Sequence, residues 1–258
     1  MPFVAFVALV GLLVGSFLNV VVWRVPRGES VVAPPSHCPG CDAEIAPRDN
    51  IPVLSWLLLH GRCRHCGTSI SVRYPAVELL TAALFGAMAA RFGPSWELPA
   101  YLYLTAVGVA LAVIDLDTKR LPNVLTLPSY PILAVLLLIP AALDPAWSTF
   151  VRALFGGVAL FAFYLLTALI YPAGMGMGDV KLAGVLGMAL GWLGWGVLIL
   201  GGFLGFIYGA VVGIALIVSR RAGRGSAIPF GPYMMAGAFT AILVGQPIVD
   251  WYGALLTG

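Results

Sequence analysis

Long apolar segments alternate with short polar ones along most of this 258-residue chain. A helix that crosses a bilayer needs about 20 consecutive apolar residues. By that criterion the pattern predicts eight transmembrane helices, at residues 3–23, 74–91, 98–115, 123–143, 150–171, 179–192, 195–218 and 231–249. The sixth is the shortest, and only the sequence GWLGWG separates it from the seventh.

The composition supports a membrane protein. Hydrophobic residues make up 60% of the chain and charged residues 10%, whereas a soluble domain carries about 25% charged residues. We therefore expect an all-α polytopic fold with the lipid bilayer as its solvent. The first segment lacks the basic start and short apolar core of a signal peptide, which favours a retained helix. The net charge of +3 is small, and no run of like charges indicates a nucleic-acid partner.

The longest polar interval, residues 24–73, lies between the first two predicted helices and holds all four cysteines. It also contains six prolines, which favour a compact, loop-rich module over a long helix. The chain is thus expected to comprise a first transmembrane helix at 1–23, a four-cysteine module at 24–73 and a seven-helix membrane core at 74–258.

The basic residues predict the orientation. If residues 24–73 lie in the cytoplasm, twelve of the fourteen basic residues fall in cytoplasmic loops, and only Arg91 and Arg152 fall outside. The twelve are Arg24, Arg27, Arg48, Arg62, Arg64, Arg73, Lys119, Arg120, Lys181, Arg220, Arg221 and Arg224. Such a bias is the positive-inside pattern, and it places both termini outside the cytoplasm.

The cysteines form two C-x-x-C pairs, Cys38/Cys41 and Cys63/Cys66, with 21 residues between the pairs. This spacing is typical of a zinc ion held by four thiolates. Because four protein ligands leave no open position, the metal would be structural. Two disulfides or a redox pair are the alternatives, but a cytoplasmic loop is reducing and no βαβ pattern surrounds the cysteines. His37 and His65 adjoin ligand positions and could replace one cysteine, but a solvated position or one beside the ligands is expected for each.

Most of the eleven acidic residues are explained as solvated surface groups. Four lie at the predicted cytoplasmic edge of the membrane: Glu78, Asp115, Asp117 and Asp179. The topology places Asp115 and Asp179 at the same depth, and paired carboxylates in a low dielectric share one proton, so that one acts as acid and the other as base. Such a pair can activate water against a peptide carbonyl.

Simpler roles exist for each residue. Asp179 could be the N-cap of its helix. Asp115 and Asp117 could pair with Lys119 and Arg120, and Glu78 could pair with Arg73. Gly176 and Gly178 favour the functional interpretation, because an active-site loop that admits a peptide strand requires close backbone approach, which a simple cap does not.

These residues resemble the bacterial type IV prepilin leader peptidases, the GxGD-type aspartyl membrane proteases. The matching elements are Asp115-LDTKR-Leu121-Pro122 and Gly176-Met-Gly178-Asp179, with GSFLNVVVWRVPRGES (15–30), the twin C-x-x-C loop, RYPAVELL (73–80) and IPFGPY (228–233) in the family's order. The spacing of Asp115 to Leu121-Pro122 favours Asp115 over Asp117.

The resemblance implies an aspartyl endopeptidase of the inner membrane with Asp115 and Asp179 as catalytic residues. Its substrates would be prepilins of type IV pili and pseudopilins of type II secretion, cut after a glycine on the cytoplasmic side. Many members also N-methylate the new first residue with S-adenosylmethionine, although no Rossmann fingerprint marks a donor site in this sequence. Two other functions remain open: a transporter with the aspartates as a proton relay, or a non-enzymatic scaffold whose zinc module binds a partner.

Overall fold

The computed structural model of the chain describes residues 1–172, 174–220, 223 and 228–257. Arg221 and Arg224, two of the predicted cytoplasmic arginines, lie outside these residues. The described residues form no β-strand, and two isolated bridges lie within the cysteine-containing loop. The α-helices of this part of the chain are α1 Pro2–Arg24, α2 Leu54–Leu58, α3 Arg73–Phe92, α4 Leu98–Thr118, α5 Asn123–Leu143, α6 Trp147–Ile170, α7 Met177–Leu193, α8 Trp195–Val218 and α9 Gly231–Thr257.

A helix lies at each of the eight positions where the sequence predicts one, which confirms the all-α polytopic fold. The short helix α2 is additional and was not predicted. Among the described residues, seven helices are long and apolar enough to cross a membrane. The exception is α7, which has 17 residues, at the lower end of the range for spanning helices.

Helix α7 is a core helix. Every residue from Asp179 to Trp192 except Lys181 is buried, as expected for a helix that is apolar on all sides. Its most extensive packing is against α6, where a Cβ placed on Gly156 would lie 2.6 Å from the Gly187 carbonyl oxygen. Small residues permit this close approach of two helices within a membrane.

The end of α7 is held by an arginine from α6. The Nε of Arg152 donates to the Gly191 carbonyl at 2.8 Å, and its Nη2 donates to the Trp192 carbonyl at 2.7 Å. The last carbonyls of a helix have no partner within the helix, so Arg152 supplies donors and a favourable positive charge where they are needed.

The chain divides into two compact units, Met1–Pro94 and Ser95–Gly258. In the first unit α1 packs along α3, and a Cβ on Gly15 would lie 2.7 Å from the Glu78 Cα. The second unit contains α4 to α9, with α6–α7 and α8–α9 as its most extensive helix pairs. The predicted boundary between the four-cysteine module and the core, at residues 73 and 74, stays a prediction.

Candidate active site and cysteine cluster

Asp115 lies in the last turn of α4, where it is buried, with 4% of its surface exposed. The backbone N–H of Gly231, the first residue of α9, donates to Asp115 Oδ2 at 2.9 Å. A buried carboxylate is stable only when it has hydrogen-bond partners. The start of α9 supplies one.

Asp117 lies two residues further along α4 and is exposed. An α-helix has 3.6 residues per turn, so the two side chains point about 200° apart around its axis. Burial therefore distinguishes Asp115 from Asp117 and favours Asp115 as the functional carboxylate, in agreement with the preference derived from motif spacing.

Asp179 is the third residue of α7, and Gly176 is the N-cap. The sequence-based alternative that Asp179 is itself the N-cap is therefore wrong, because the helix begins two residues earlier than predicted. Asp179 Oδ2 accepts the Gly176 N–H at 3.1 Å, which is the acidic half of a capping box. The side chain is buried, with 9% of its surface exposed.

Leu121 lies next to both aspartate sites. A Cβ on Gly178 would lie 3.0 Å from Leu121 Cβ, and a Cβ on Gly231 would lie 3.3 Å from Leu121 Cδ2. The carboxylates of Asp115 and Asp179 are close enough for their charges to interact. The end of α4 and the starts of α7 and α9 thus meet at a pair of buried carboxylates.

The start of α7 is also attached to α5. The Tyr130 hydroxyl donates to the Lys181 carbonyl at 2.7 Å, and Lys181 Nζ donates to Asn123 Oδ1 at 3.0 Å. These bonds fix the turn that carries Asp179. The missing side chain of Gly178 lets the turn approach Leu121, and its expected role in admitting a peptide strand stays a prediction. Gly176, with its extended backbone, supplies an N–H to the carboxylate.

The segment that precedes α9 was recognised in the sequence only as part of the IPFGPY block. The structure gives it a role, because Gly231 bonds Asp115 and the Phe230 ring packs 5.2 Å from that of Phe206 and 6.3 Å from that of Tyr164. The sequence signal that could have indicated this role is a glycine between two nearby prolines, Pro229 and Pro232, at the start of a predicted helix.

The four cysteines converge in the first unit. Their sulfur atoms all lie within 4.8 Å of one another, and none is in a disulfide. Cys38 Sγ and Cys66 Sγ are 3.7 Å apart, whereas sulfurs arranged tetrahedrally around zinc at about 2.3 Å are about 3.8 Å apart. The geometry therefore fits a four-thiolate zinc ion, and the cluster contains cysteines alone, without His37 or His65.

Both cysteine pairs lie in tight loops that direct hydrogen-bond donors at sulfur. The Thr68 side chain, with its hydroxyl 3.1 Å from Cys66 Sγ, lowers the pKa of the Cys66 thiol to about 6. The backbone N–H groups of Cys66 and His65 lower the pKa of the Cys63 thiol. Thiolates are the form that binds metal, so the Cys63/Cys66 loop favours metal binding. In the other loop the Ala43 backbone lowers the pKa of the Cys41 thiol, but the neighbouring cysteine side chains and burial raise it to about 12.

Glu78, the remaining membrane-edge carboxylate, has a local structural role in the first unit. Its Oε2 accepts the Val53 N–H at 2.7 Å, and it also hydrogen-bonds with Ser16. Val53 has a φ of 60°, a strained conformation for a β-branched residue. The sequence suggested Arg73 as the partner of Glu78, and neither of these contacts was foreseen.

The fold and the paired carboxylates define the class: a polytopic helical membrane protein with an acidic dyad at converging helix ends. Comparison with family models is more specific. Residues 9–92 match the bacterial peptidase A24 N-terminal domain, and residues 102–218 match the type IV leader peptidase family. The chain belongs to the type IV leader peptidase family.

Curated relatives cover nearly the whole chain. A prepilin leader peptidase/N-methyltransferase of Pseudomonas aeruginosa is 38% identical over 278 residues, covering 98% of this chain and 94% of the relative. Proteins of the same name from Aeromonas hydrophila (41% identical; 95% and 92% covered) and Bacillus subtilis (37%; 96% and 97%) are similarly close. No solved structure matches significantly.

Proposed function

We propose that this protein is an aspartyl endopeptidase that removes the basic leader of type IV prepilins and related pseudopilins after a glycine. The same protein would then methylate the new N-terminal residue. The observation that carries the proposal is the buried pair Asp115 and Asp179, in a chain that aligns over nearly its full length with prepilin leader peptidase/N-methyltransferases.

The proposed mechanism uses the two carboxylates in different protonation states. Two carboxylates close together in a water-poor site share a proton. The ionised one takes a proton from a water molecule, whose oxygen attacks the carbonyl carbon of the scissile peptide bond. The protonated partner donates its proton to the carbonyl oxygen. When the intermediate collapses, the C–N bond breaks and the leaving amine receives a proton from the dyad.

The substrate is proposed to be a membrane-inserted helix with a basic leader at the cytoplasmic surface. Its cleavage segment would lie in extended form beside the glycine-rich turn before α7. Gly176 is exposed, so the turn can be approached by a peptide strand on that side. Lateral docking among the spanning helices suits a substrate whose mature part begins with an apolar helix.

The orientation follows from the positive-inside distribution of basic residues in the sequence. We place the protein in the bacterial inner membrane, with the dyad and the cysteine module at the cytoplasmic side. Type IV pilus assembly and type II secretion are the processes that such substrates serve.

Two bound groups are proposed. Cys38, Cys41, Cys63 and Cys66 would hold a zinc ion, which stabilises the fold of their loop and supplies no open coordination position. S-adenosylmethionine is the methyl donor that the second activity requires. Because the described residues form no β-strand, they contain no Rossmann-type sheet for this donor.

The test is the mass of a purified prepilin incubated with the protein in liposomes. Without S-adenosylmethionine we expect loss of the leader alone, and with it loss of the leader plus the mass of one methyl group. A prepilin in which valine replaces the glycine before the cut is the control and should stay intact. A wild-type prepilin that keeps its full mass in both reactions would contradict the proposal.

A further inference from the structure

The first backbone N–H of α9 points out of its own helix. The N–H groups of the first helical turn have no partner within the helix. That of Gly231 donates to Asp115 Oδ2 on α4, 116 residues earlier in the chain, and the bond is buried. Asp115 and the start of α9 therefore satisfy each other's hydrogen-bonding needs.

Only glycine fits at this position. A Cβ on residue 231 would lie 2.9 Å from Asp115 Oδ2 and 3.3 Å from Leu121 Cδ2. The first of these contacts is closer than real Cβ atoms allow, so any side chain would move the carboxylate or the peptide. Glycine is required here because the backbone at residue 231 must come close enough to Asp115 for its N–H to reach the buried carboxylate.

An aromatic cluster holds the donor in place. Phe230 packs against Phe206 and Tyr164, and Tyr164 is buried with its hydroxyl donating to the Gly202 carbonyl at 3.2 Å. Tyr164 is also close enough to Asp179 for electrostatic interaction. The aromatic packing of Phe230 thus helps to fix the Phe230–Gly231 peptide beside Asp115.

The second carboxylate is held in the same way. Gly176 N–H donates to Asp179 Oδ2, so each aspartate is bound through one oxygen by a glycine N–H at a helix start. Among the described residues, these are the hydrogen bonds that the two carboxylates make, and the Oδ1 atoms take no part in them. The positive ends of α7 and α9 both face the pair, which favours negative charge there.

We propose that Gly231 is a positioning residue of the dyad, whose N–H fixes Asp115 Oδ2 and leaves Oδ1 for the attacking water and the shared proton. This inference rests on the proposed peptidase function. A donor preorganised at one oxygen costs no rearrangement during the reaction. A displacement of the carboxylate by about 1 Å can lower the rate about a hundredfold.

The experiment compares two substitutions at residue 231 with a control on the same helix. Gly231→Ala adds a Cβ and keeps the N–H, whereas Gly231→Pro adds a similar Cβ and replaces the hydrogen that faces Asp115 by its ring Cδ. Proline is favoured at the first position of a helix. Gly253→Ala is the control, because a Cβ there would have no heavy atom within 4 Å among the described residues. For each variant, kcat and KM of prepilin cleavage and the thermal unfolding midpoint are measured.

We expect kcat to fall about tenfold for Gly231→Ala and about a hundredfold for Gly231→Pro, with KM within about twofold of wild type, because positioning acts on the chemical step. Gly253→Ala should match wild type. If Gly231→Pro does not fold, the test is the kcat of Gly231→Ala relative to that of Gly253→Ala, which should be about tenfold lower if Gly231 positions Asp115.

Equal kcat values for the alanine and proline variants would overturn the role of the N–H. So would losses that appear only in KM, or a Gly231→Ala variant as active as Gly253→Ala. In each of these cases the wild type still cleaves, and the proposed function stands. Absence of cleavage by the wild type would instead overturn both the proposed function and this inference.

Discussion

At the scale of single residues, each of the two buried aspartates accepts a hydrogen bond from a glycine N–H at the start of a helix. Asp115 and Asp179 were predicted from their depth and their motifs, and the structure brings them together. Their hydrogen-bond donors were not predicted. The donor to Asp115 is a backbone group 116 residues away, and a backbone N–H carries no side-chain signature that a sequence pattern could reveal.

The cysteine loops give a second example at this scale. Gly40 and Gly67 lie in the two cysteine loops. Gly67 has a φ of 72°, which suits a tight turn, whereas in the first loop the residue with positive φ is Asp42, at 54°. Aspartate adopts this conformation more readily than most residues. Gly40 is instead needed for space, because a Cβ there would lie 2.7 Å from Thr68 Oγ1.

Glu78 provides a prediction for a single side chain. Glu78→Ala removes the acceptor for the half-buried Val53 N–H, and an unsatisfied donor that is fully buried costs about 1–3 kcal/mol. We expect hydrogen exchange at Val53 and in α2 to accelerate by about ten- to a hundredfold. Glu78→Gln, which keeps an oxygen acceptor, is the matched control and should exchange more slowly than Glu78→Ala. Unchanged exchange in Glu78→Ala would show that other contacts hold this loop.

At the scale of elements, hydropathy predicted the helices well because lipid imposes a long apolar segment on each span. Two elements illustrate its limits. Helix α2 has five residues, too few for a hydropathy signal. Helix α7 was predicted as the shortest span. Tertiary contacts stabilise this 17-residue helix. They are the close packing of its glycines on α6 and the hydrogen bonds from Arg152 to its last carbonyls.

The glycine contact between α6 and α7 can be tested with a pair of substitutions. A Cβ on Gly187 would collide with the Gly156 carbonyl oxygen, whereas a Cβ on Gly213 in α8 would lie 3.6 Å from its nearest neighbour, Ile228 Cδ1. We expect Gly187→Ala to destabilise the protein by about 1–3 kcal/mol, as overpacking does in cores, and Gly213→Ala to be neutral. Thermal unfolding in nanodiscs measures both. Equal midpoints for the two variants would contradict the close packing.

At the scale of the whole molecule, composition and helix count predicted a polytopic membrane protein, and the structure confirms it. The division into the units Met1–Pro94 and Ser95–Gly258 was not predicted. The boundary predicted where the cysteine loop ends stays a prediction, and within the first unit α3 packs along α1. Which helices pair depends on complementary small residues on two distant segments, such as Gly15 and the α3 backbone at Glu78, and hydropathy does not report this complementarity.

Metal content tests the cysteine cluster in the intact protein. We expect one zinc ion per chain in protein purified without a metal-affinity column, measured by elemental analysis. Cys66→Ser should lose the metal and lower the thermal unfolding midpoint, since structural zinc contributes folding free energy. His37→Ala and His65→Ala are the controls and should keep it, because four thiolates complete the site. Zinc retained in Cys66→Ser but lost in His65→Ala would contradict the predicted ligand set.

The most direct test of the central claim is prepilin cleavage by Asp115→Asn, Asp179→Asn and Asp117→Asn, each shown by thermal unfolding to be folded. Asparagine keeps an oxygen that can accept the Gly231 or Gly176 N–H, so the fold should persist while the proton transfer fails. We expect a loss of kcat of at least about a thousandfold for Asp115→Asn and Asp179→Asn, in the upper range for a positioned acid or base, and near wild-type cleavage for the exposed Asp117→Asn. Normal cleavage by a folded Asp115→Asn or Asp179→Asn variant would contradict the dyad mechanism.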